Sequence, residues 1–428
     1  MFYTIKLFLK FIRKLYKVTL CEWVWTVLLV LILFTVWNKD VETNCVEKKS
    51  YLKNPIILWW TRGFPGTTET KYCPGNIKCD IYSNKNISEK FYIDAYLFYG
   101  SNIDFKSLPL PRKQNETIWG LYHEESPRNV EELLHESVLS LFNFSTTYSR
   151  YSDVPFPLQH LLSFEDITDN EYFMKTEDKN KFLNDIAPIL YLQSDCETST
   201  ERDAYVKELM KYIKVDSYGK CLNNKKLPRK FTEDYLNNLD EDDFLKFTAR
   251  YKFVIAIENG ICEDYITEKF WRAIKVGSVP IYFGSPSIRD WLPNNKSAIL
   301  LQDFPSPKIM VEHIKKLLEN DSLYEEHLEH KTKQVITNQR LIEEYTQRPY
   351  QLDALETVER FECFVCKQLH DRKKGVKETN VVDKRHYNCP KPISALSLKA
   401  NPSNIWVQGW RSSRMRSEQI QRKIMTEI

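Results

Sequence analysis

The stretch from Tyr251 to Pro286, YKFVIAIENGICEDYITEKFWRAIKVGSVPIYFGSP, constrains the fold more than any other part of the chain. It reads as a strand, a polar loop, a helix and a second strand that ends in Gly-Ser-Pro. Strands alternating with helices imply a parallel sheet. The loop and helix start carry Glu258, Asn259, Asp264, Tyr265, Thr267, Glu268 and Lys269. Polar and charged groups gathered between two apolar strands mark a ligand site at the carboxyl edge of such a sheet.

The same alternation recurs along the chain. Pro55–Trp60, Ala95–Gly100, Ile118–Tyr122 and Ser137–Phe144 read as strands, with a helix around Glu131 and Glu132. The charged stretch Glu165–Lys181 reads as an interdomain linker. A second unit opens with the strand Ala187–Leu192. The helix beginning ERDAYVKELMKYI follows, capped by Thr198, Ser199 or Thr200. Asp216–Gly219 reads as a turn and Asp243–Tyr251 as a helix. Ala298–Leu301 is expected as a short strand and Met310–Leu317 as a helix. Two successive α/β units predict two Rossmann-like halves facing a cleft. Glycine is scarce, at 11 residues, and no GxGxxG occurs, which argues against a dinucleotide dehydrogenase. A net charge of +3 with many charges of both signs argues against a dedicated nucleic-acid binder.

Leu20–Trp37 (LCEWVWTVLLVLILFTVW) carries one charge, Glu22, near its start. About 20 apolar residues span a bilayer, so the run is adequate for one crossing. Lys6, Arg13, Lys14 and Lys17 precede it, which puts the N-terminus in the cytosol and the rest in the lumen. No small-residue cleavage site follows, so an uncleaved signal anchor is expected. The sequons at Asn86, Asn115, Asn143, Asn295 and Asn320 fit that lumenal placement as glycosylation candidates. Ten cysteines are present, and an oxidising lumen makes disulfides the default for those beyond the anchor and stem. No second CxxC accompanies Cys363-x-x-Cys366, so zinc is not indicated.

The resulting division is a cytoplasmic tail (1–19), a transmembrane anchor (20–37) and a stem (38–53). An N-terminal acceptor-side half (54–185) and a C-terminal donor-binding half (186–345) follow. A closing segment with CxxC (346–390) and a polar tail (391–428) complete the chain.

Glu258-Asn259-Gly260 with Asp264-Tyr265-Ile266-Thr267-Glu268-Lys269 resembles the donor-binding motif of the α1,3-fucosyltransferases, glycosyltransferase family 10. The likeness continues through Gly277-Ser278-Val279-Pro280 and Gly284-Ser285-Pro286. Upstream it takes in His123-Glu124-Glu125-Ser126-Pro127, Arg202 and Asp216-Ser217-Tyr218-Gly219. It covers roughly residues 54–370. The runs SLPLPRK, HEESP, YLQSDC and VDSYGKC resemble the divergent branch holding the family's tenth and eleventh vertebrate members.

The resemblance implies a GT-B type pair of Rossmann-like domains, with GDP-fucose held mostly by the second. Breaking the bond between fucose and GDP leaves growing negative charge on a diphosphate. Arg202 and Lys269 suit it through charge-assisted hydrogen bonds, Lys269 from the first turn of a helix. Glu258 and Glu268 suit the ribose hydroxyls or the sugar, and Asn259 and Thr267 belong to the same motif. Tyr218 and Tyr265 are expected to pack on guanine, ribose or fucose. No obligatory metal or cofactor is expected. The acidic cluster Asp240, Asp242 and Asp243 precedes an amphipathic helix and suits its N-terminus.

Inversion needs one base opposite the leaving group. The resemblance implies Glu125, directly before Ser-Pro, with Glu124 as the adjacent alternative. It also implies that Cys73 and Cys79 pair with Cys363 and Cys366; Cys196 with Cys221 is a second expected pair, and Cys262 and Cys389 are unassigned. Two acceptors fit: a Ser or Thr hydroxyl in a folded, disulfide-rich module of EMI type, which the divergent branch favours, or the 3-hydroxyl of N-acetylglucosamine in a glycan. The stretch Trp59–Gly66 is where the two would differ. A lumenal binding protein without catalysis and a transferase for another nucleotide sugar are the rival readings. The expected location is the endoplasmic reticulum or Golgi membrane, single-pass, with the catalytic region lumenal and no nucleic-acid partner.

Overall fold

Runs of β-branched and aromatic residues form two separate sheets. The first contains β1 (Ile56–Trp59), β2 (Glu69–Cys73), β3 (Ile77–Tyr82), β4 (Ala95–Tyr99), β5 (Ile118–His123) and β6 (Phe144–Thr147). The second contains β7 (Ile189–Gln193), β8 (Val215–Gly219), β9 (Phe253–Ile257), β10 (Val279–Phe283) and β11 (Ile299–Leu300). The computed structural model describes residues 49–63, 68–113, 115–161, 163–232, 241–347, 354–376 and 380–426. The expected anchor at 20–37 and most of the stem lie outside the described residues. Among the described residues no helix is long and apolar enough to cross a membrane.

The first sheet runs β2-β3-β1-β4-β5-β6 and the second β11-β10-β9-β7-β8. All pairs are parallel except the β2–β3 hairpin. Without β2, both sheets follow one plan. The first strand sits inside, the next is added on one side, and the last three on the other. The order therefore reverses between β1 and β4, and again between β7 and β9. At such reversals the connections leave in opposite directions and open a crevice beyond the carboxyl ends. The strands are buried on both faces, which is why β5 and β10 read as continuous apolar runs.

The four disulfides are Cys73–Cys363, Cys79–Cys366, Cys196–Cys221 and Cys262–Cys389. Cys363 and Cys366 lie three residues apart on the helix Ala354–Lys373, so both sulfurs share one face and pin the hairpin. The first hydrophobic core continues across the halves to Cys262 and Tyr265.

Several expectations are corrected. Glu165–Lys181 is no linker: Thr176–Phe182 is a helix on the second half. Its Lys179 is fully buried, with Nζ donating to Tyr251 O at 3.0 Å, Gly277 O at 2.8 Å and Ser278 Oγ at 3.2 Å. Ser137–Phe144 splits into a helical turn, Glu136–Leu139, and the start of β6. Asp216–Gly219 is strand, within β8. Thr198, Ser199 and Thr200 do not cap the helix Arg202–Leu209, whose cap residue Glu201 is left-handed with φ 51°. Ser199 Oγ and Thr200 Oγ1 instead hold the carbonyls of Asn259 and Glu258, at 2.8 and 2.7 Å.

The end of the chain is not a tail. Ile405–Thr426 is a 22-residue helix that packs on the first half. Arg416 reaches Glu131 at 3.1 Å and Glu132 at 2.7 Å, and His135 Nε2 meets Ser413 Oγ at 2.8 Å. Gly409 leaves room there for the Glu131 carboxylate, which a Cβ would approach to 2.0 Å and push aside. Asn143 is also corrected as a glycosylation candidate. It is 2% exposed, and its Oδ1 accepts from Arg112 Nη2 at 2.7 Å and Trp119 N at 2.9 Å. Asn86, Asn115, Asn295 and Asn320 are exposed.

Candidate active site

The carboxyl ends of β5, β7 and β9 bring the sequence-derived residues together. Glu258 directly follows β9 and is fully buried. Its Oε1 accepts from Thr267 N at 2.8 Å and its Oε2 from Thr267 Oγ1 at 2.8 Å. Thr267 is the N-cap of the helix Glu268–Lys275, which buries Phe270, Trp271, Ala273 and Ile274 on one face. That packing projects Lys269 from the first turn into the site. Lys269 Nζ lies 3.0 Å from Thr267 Oγ1, 2.9 Å from Glu268 Oε1 and 3.6 Å from Glu258 Oε2. Burial disfavours its charge, but Glu268 and Glu258 outweigh burial and raise its pKa. Burial likewise pushes Glu268 up, but Lys269, His160 and Arg272 win and hold it down. For Glu258 burial wins and the carboxyl is raised.

Arg202 lies under the β7–β9 reversal, 1% exposed. Its Nη1 donates to Ile257 O at 3.3 Å and Nη2 to Asp195 O at 2.6 Å, while Nε is buried with no partner among the described residues. Asn259 Oδ1 is likewise buried and unpartnered. Open polar atoms at a strand-order reversal are positions for a polar ligand.

Glu125, just beyond β5 in the first half, reaches across to the second. Its Oε1 accepts from Ser126 N at 2.9 Å, from Asn259 Nδ2 at 3.2 Å and from the Tyr265 hydroxyl. Oε2 takes no hydrogen bond from the described residues. Burial pushes this carboxyl up, but Tyr265, Ser126, Asn259 and the charge of Lys269 together hold it below the usual carboxylate value. One oxygen of Glu125 is thus anchored by three donors, and its surroundings favour the ionised form. Glu124 turns the other way, its Oε1 taking the Tyr99 hydroxyl at 2.5 Å.

Two tyrosines differ from expectation. Tyr265 is 2% exposed, with its ring 4.9 Å from that of Tyr148, so it offers no open face for stacking and instead orients Glu125. Tyr218 packs edge-on against Phe247, its hydroxyl 2.9 Å from that of Tyr251, and is not brought to the Lys269 group. Asp242 and Asp243 sit in the first turn of the helix Asp242–Ala249, where Tyr172 and Lys230 occupy them; Asp240 lies outside the described residues.

A clamp between the halves escaped the sequence reading. Arg150, after β6, meets Asp264 through Nη2 at 2.6 Å, and its backbone N reaches the same carboxylate at 3.0 Å. Ser287 Oγ at 2.7 Å and Trp291 Nε1 at 3.0 Å complete the shell around Asp264. The pair is almost fully buried, and Asp264 holds a left-handed φ of 62°.

Residues 52–159 match the family model "Fucosyltransferase, N-terminal", and residues 176–385 match "Glycosyltransferase family 10 (fucosyltransferase) C-term". GDP-fucose protein O-fucosyltransferase 3 of Homo sapiens is 41% identical, over 84% of this chain and 76% of its own. Alpha-(1,3)-fucosyltransferase B of Drosophila melanogaster is 41% identical, over 87% of this chain and 84% of its own. A solved alpha1,3-fucosyltransferase with GDP-fucose superposes with a TM-score of 0.40 at 16% identity, covering 70% of this chain and 91% of that one. By the two family models and by relatives matched over most of its length, the chain belongs to glycosyltransferase family 10, the fucosyltransferases.

Proposed function

We propose that this enzyme is an inverting fucosyltransferase of GT-B type. It moves L-fucose from GDP-β-L-fucose, in α linkage, to a Ser or Thr hydroxyl of a folded, disulfide-rich domain of EMI type. One observation carries the reading. Glu125 of the first half is held by Tyr265 and Asn259 of the second, beside Lys269. That joins a base to an anion-stabilising group in one site. Glu125 Oε2 takes the proton as the acceptor oxygen attacks C1 of fucose from the face opposite GDP. The bond from C1 to the phosphate oxygen breaks, and its electron pair leaves with GDP. Lys269 and the charge of the Arg202 guanidinium stabilise the negative charge that develops on the diphosphate. Glu258, Thr267 and Glu268 hold donor hydroxyls. These cations supply the neutralising charge without a metal, so transfer is expected to survive EDTA.

The relatives named protein O-fucosyltransferase favour a protein acceptor. The relative named alpha-(1,3)-fucosyltransferase keeps the 3-hydroxyl of N-acetylglucosamine as the second reading. Four disulfides and exposed sequons suit an oxidising lumen, in the endoplasmic reticulum or Golgi, behind a single N-terminal anchor. The test is transfer from labelled GDP-fucose to a folded EMI-type domain and, separately, to a GlcNAc-terminated glycopeptide. Label on the folded domain is the expected result. Label on the glycopeptide alone selects the second reading, and GDP binding with transfer to neither overturns both.

A further inference from the structure

The loop that carries Glu125 continues toward the other half. Ser126 caps a short 3₁₀ turn, Pro127–Asn129, its Oγ taking Arg128 N at 3.4 Å. Arg128 Nη2 then donates to Asp195 Oδ2 at 2.5 Å, two residues beyond β7 in the second half. The Arg128 side chain is 12% exposed, and its guanidinium lies over the Trp406 ring, 5.2 Å from the centroid.

Asp195 also holds the arginine of the donor side. Its backbone carbonyl accepts from Arg202 Nη2 at 2.6 Å, and its carboxylate lies 3.9 Å from the same nitrogen. Residues 194–197 belong to no strand or helix, so the carbonyl that orients Arg202 is only as fixed as the ties on its turn. Cys196 pairs with Cys221, Trp406 Nε1 donates to Glu197 O at 2.9 Å, and Arg128 holds Asp195. Of these three ties, only Arg128 comes from the loop of the base. The Arg150–Asp264 pair ties the halves next to Tyr265, and Arg128 ties them at Arg202.

We propose that Arg128 is a positioning residue for the transfer. Through Asp195 it fixes the carbonyl that orients Arg202, and so sets the cation for the diphosphate against Glu125, three residues before Arg128 in the chain. The base and the leaving group act on opposite faces of one sugar carbon, so their spacing must be held. A misplacement of about 1 Å costs about 100-fold in rate. Trp406 gives the C-terminal helix a share in the site, supporting Arg128 with its ring and the Asp195 turn with its Nε1. The inference rests on the fucosyl-transfer reading above.

The full-length protein carries the test. Affinities for GDP and for guanosine are measured by calorimetry, and transfer from GDP-fucose by initial rates. Arg128→Met keeps an aliphatic stem beside Trp406 and removes the ion pair. It is expected to weaken GDP binding about 10-fold, the low end for a charge-assisted hydrogen bond because Asp195 is half-exposed. Guanosine, which carries no phosphate, is expected to bind as in wild type. KM for GDP-fucose is expected to rise as GDP affinity falls. A role in stability alone would lower the active fraction, which reduces kcat but leaves KM and both affinities in place. If Arg128→Met does not fold, Asp195→Ala breaks the same pair from its half-exposed end and is expected to show the same GDP-selective loss. Unchanged GDP affinity overturns the proposal, and so does equal weakening of GDP and guanosine. Wild type that binds UDP or CDP as tightly as GDP overturns the fucosyl-transfer reading itself, and this inference with it.

Discussion

The two halves share one strand order but carry opposite chemistry at their carboxyl ends. The second half gathers Arg202 and Lys269, matched by Glu258 and Glu268 and tightened by Thr267. The first half offers two adjacent carboxylates, Glu124 held by its own Tyr99 and Glu125 held by Tyr265 from the second half. A scaffold that opens a crevice at each reversal does not dictate what fills it. Cations on one side suit a leaving diphosphate, and carboxylates on the other suit an incoming hydroxyl. The division of labour lies in a few loop residues, and it can be broken one side at a time.

The largest effect is expected on the carboxylate side. Glu125→Gln keeps the donors from Ser126, Asn259 and Tyr265 near a side chain of the same shape but removes the proton acceptor. Loss of a general base costs about 100- to 10,000-fold in kcat. GDP affinity, measured by calorimetry, is expected to hold. An active Glu125→Gln enzyme would remove Glu125 from the chemistry.

Next comes the clamp that keeps the two sides in register. Asp264→Asn preserves the left-handed backbone that asparagine tolerates but leaves the Arg150 guanidinium buried without its principal partner. Burial disfavours the Arg150 charge, and Asp264, Asp290 and Glu344 overcome it. Removing one member of a buried pair costs about 3–5 kcal/mol. An unfolding free energy, from denaturant titration, within about 1 kcal/mol of wild type would show that Asp290 and Glu344 suffice.

On the cationic side, Lys269→Met keeps the stem and removes the charge. Loss of one preorganised electrostatic group costs about 100- to 1,000-fold in kcat, with weaker GDP binding. An unchanged GDP affinity would mean that Arg202 alone holds the diphosphate.

How much of this was legible depended on whether function or packing left a pattern. The motif from Glu258 to Lys269 was visible because a polar cluster between two apolar strands has little other reason to exist. The hairpin-to-helix disulfides were expected from the family resemblance, because the spacing of Cys363 and Cys366 alone names no partner. The helix Ile405–Thr426 was not, because its buried face interleaves the polar Ser413 and Ser417 with Val407 and Ile424 and so leaves no continuous apolar stripe. Lys179 hid the second half's boundary, since a buried lysine bonded to carbonyls looks like a surface lysine in sequence. Asn143 reads as a sequon but serves as a buried acceptor for Arg112 and Trp119. The Arg150–Asp264 clamp joins residues 114 positions apart, and neither carries a local signal of the other.

The smallest effect is the most diagnostic of how the halves cooperate. Glu125 is held below the ordinary carboxylate value of 4.5 by groups that come mostly from the opposite half. Tyr265, Asn259 and Lys269 lower it, Ser126 lowers it from its own side, and burial works against them. A base must be ionised, so activity is lost as pH falls through its folded pKa, and for wild type that limb lies below 4.5. Tyr265→Phe removes one lowering hydrogen bond and keeps the ring against Tyr148. Burial then weighs more, the pKa rises, and the acid limb of kcat/KM, which reports the free enzyme, moves to higher pH. At neutral pH the carboxylate remains ionised, so kcat falls by about 10-fold or less, the net worth of one hydrogen bond. A pH profile resolves this where a single-pH assay does not. If kcat falls while the acid limb stays in place, Tyr265 supports the site by packing alone, and the second half does not tune the first half's base through it.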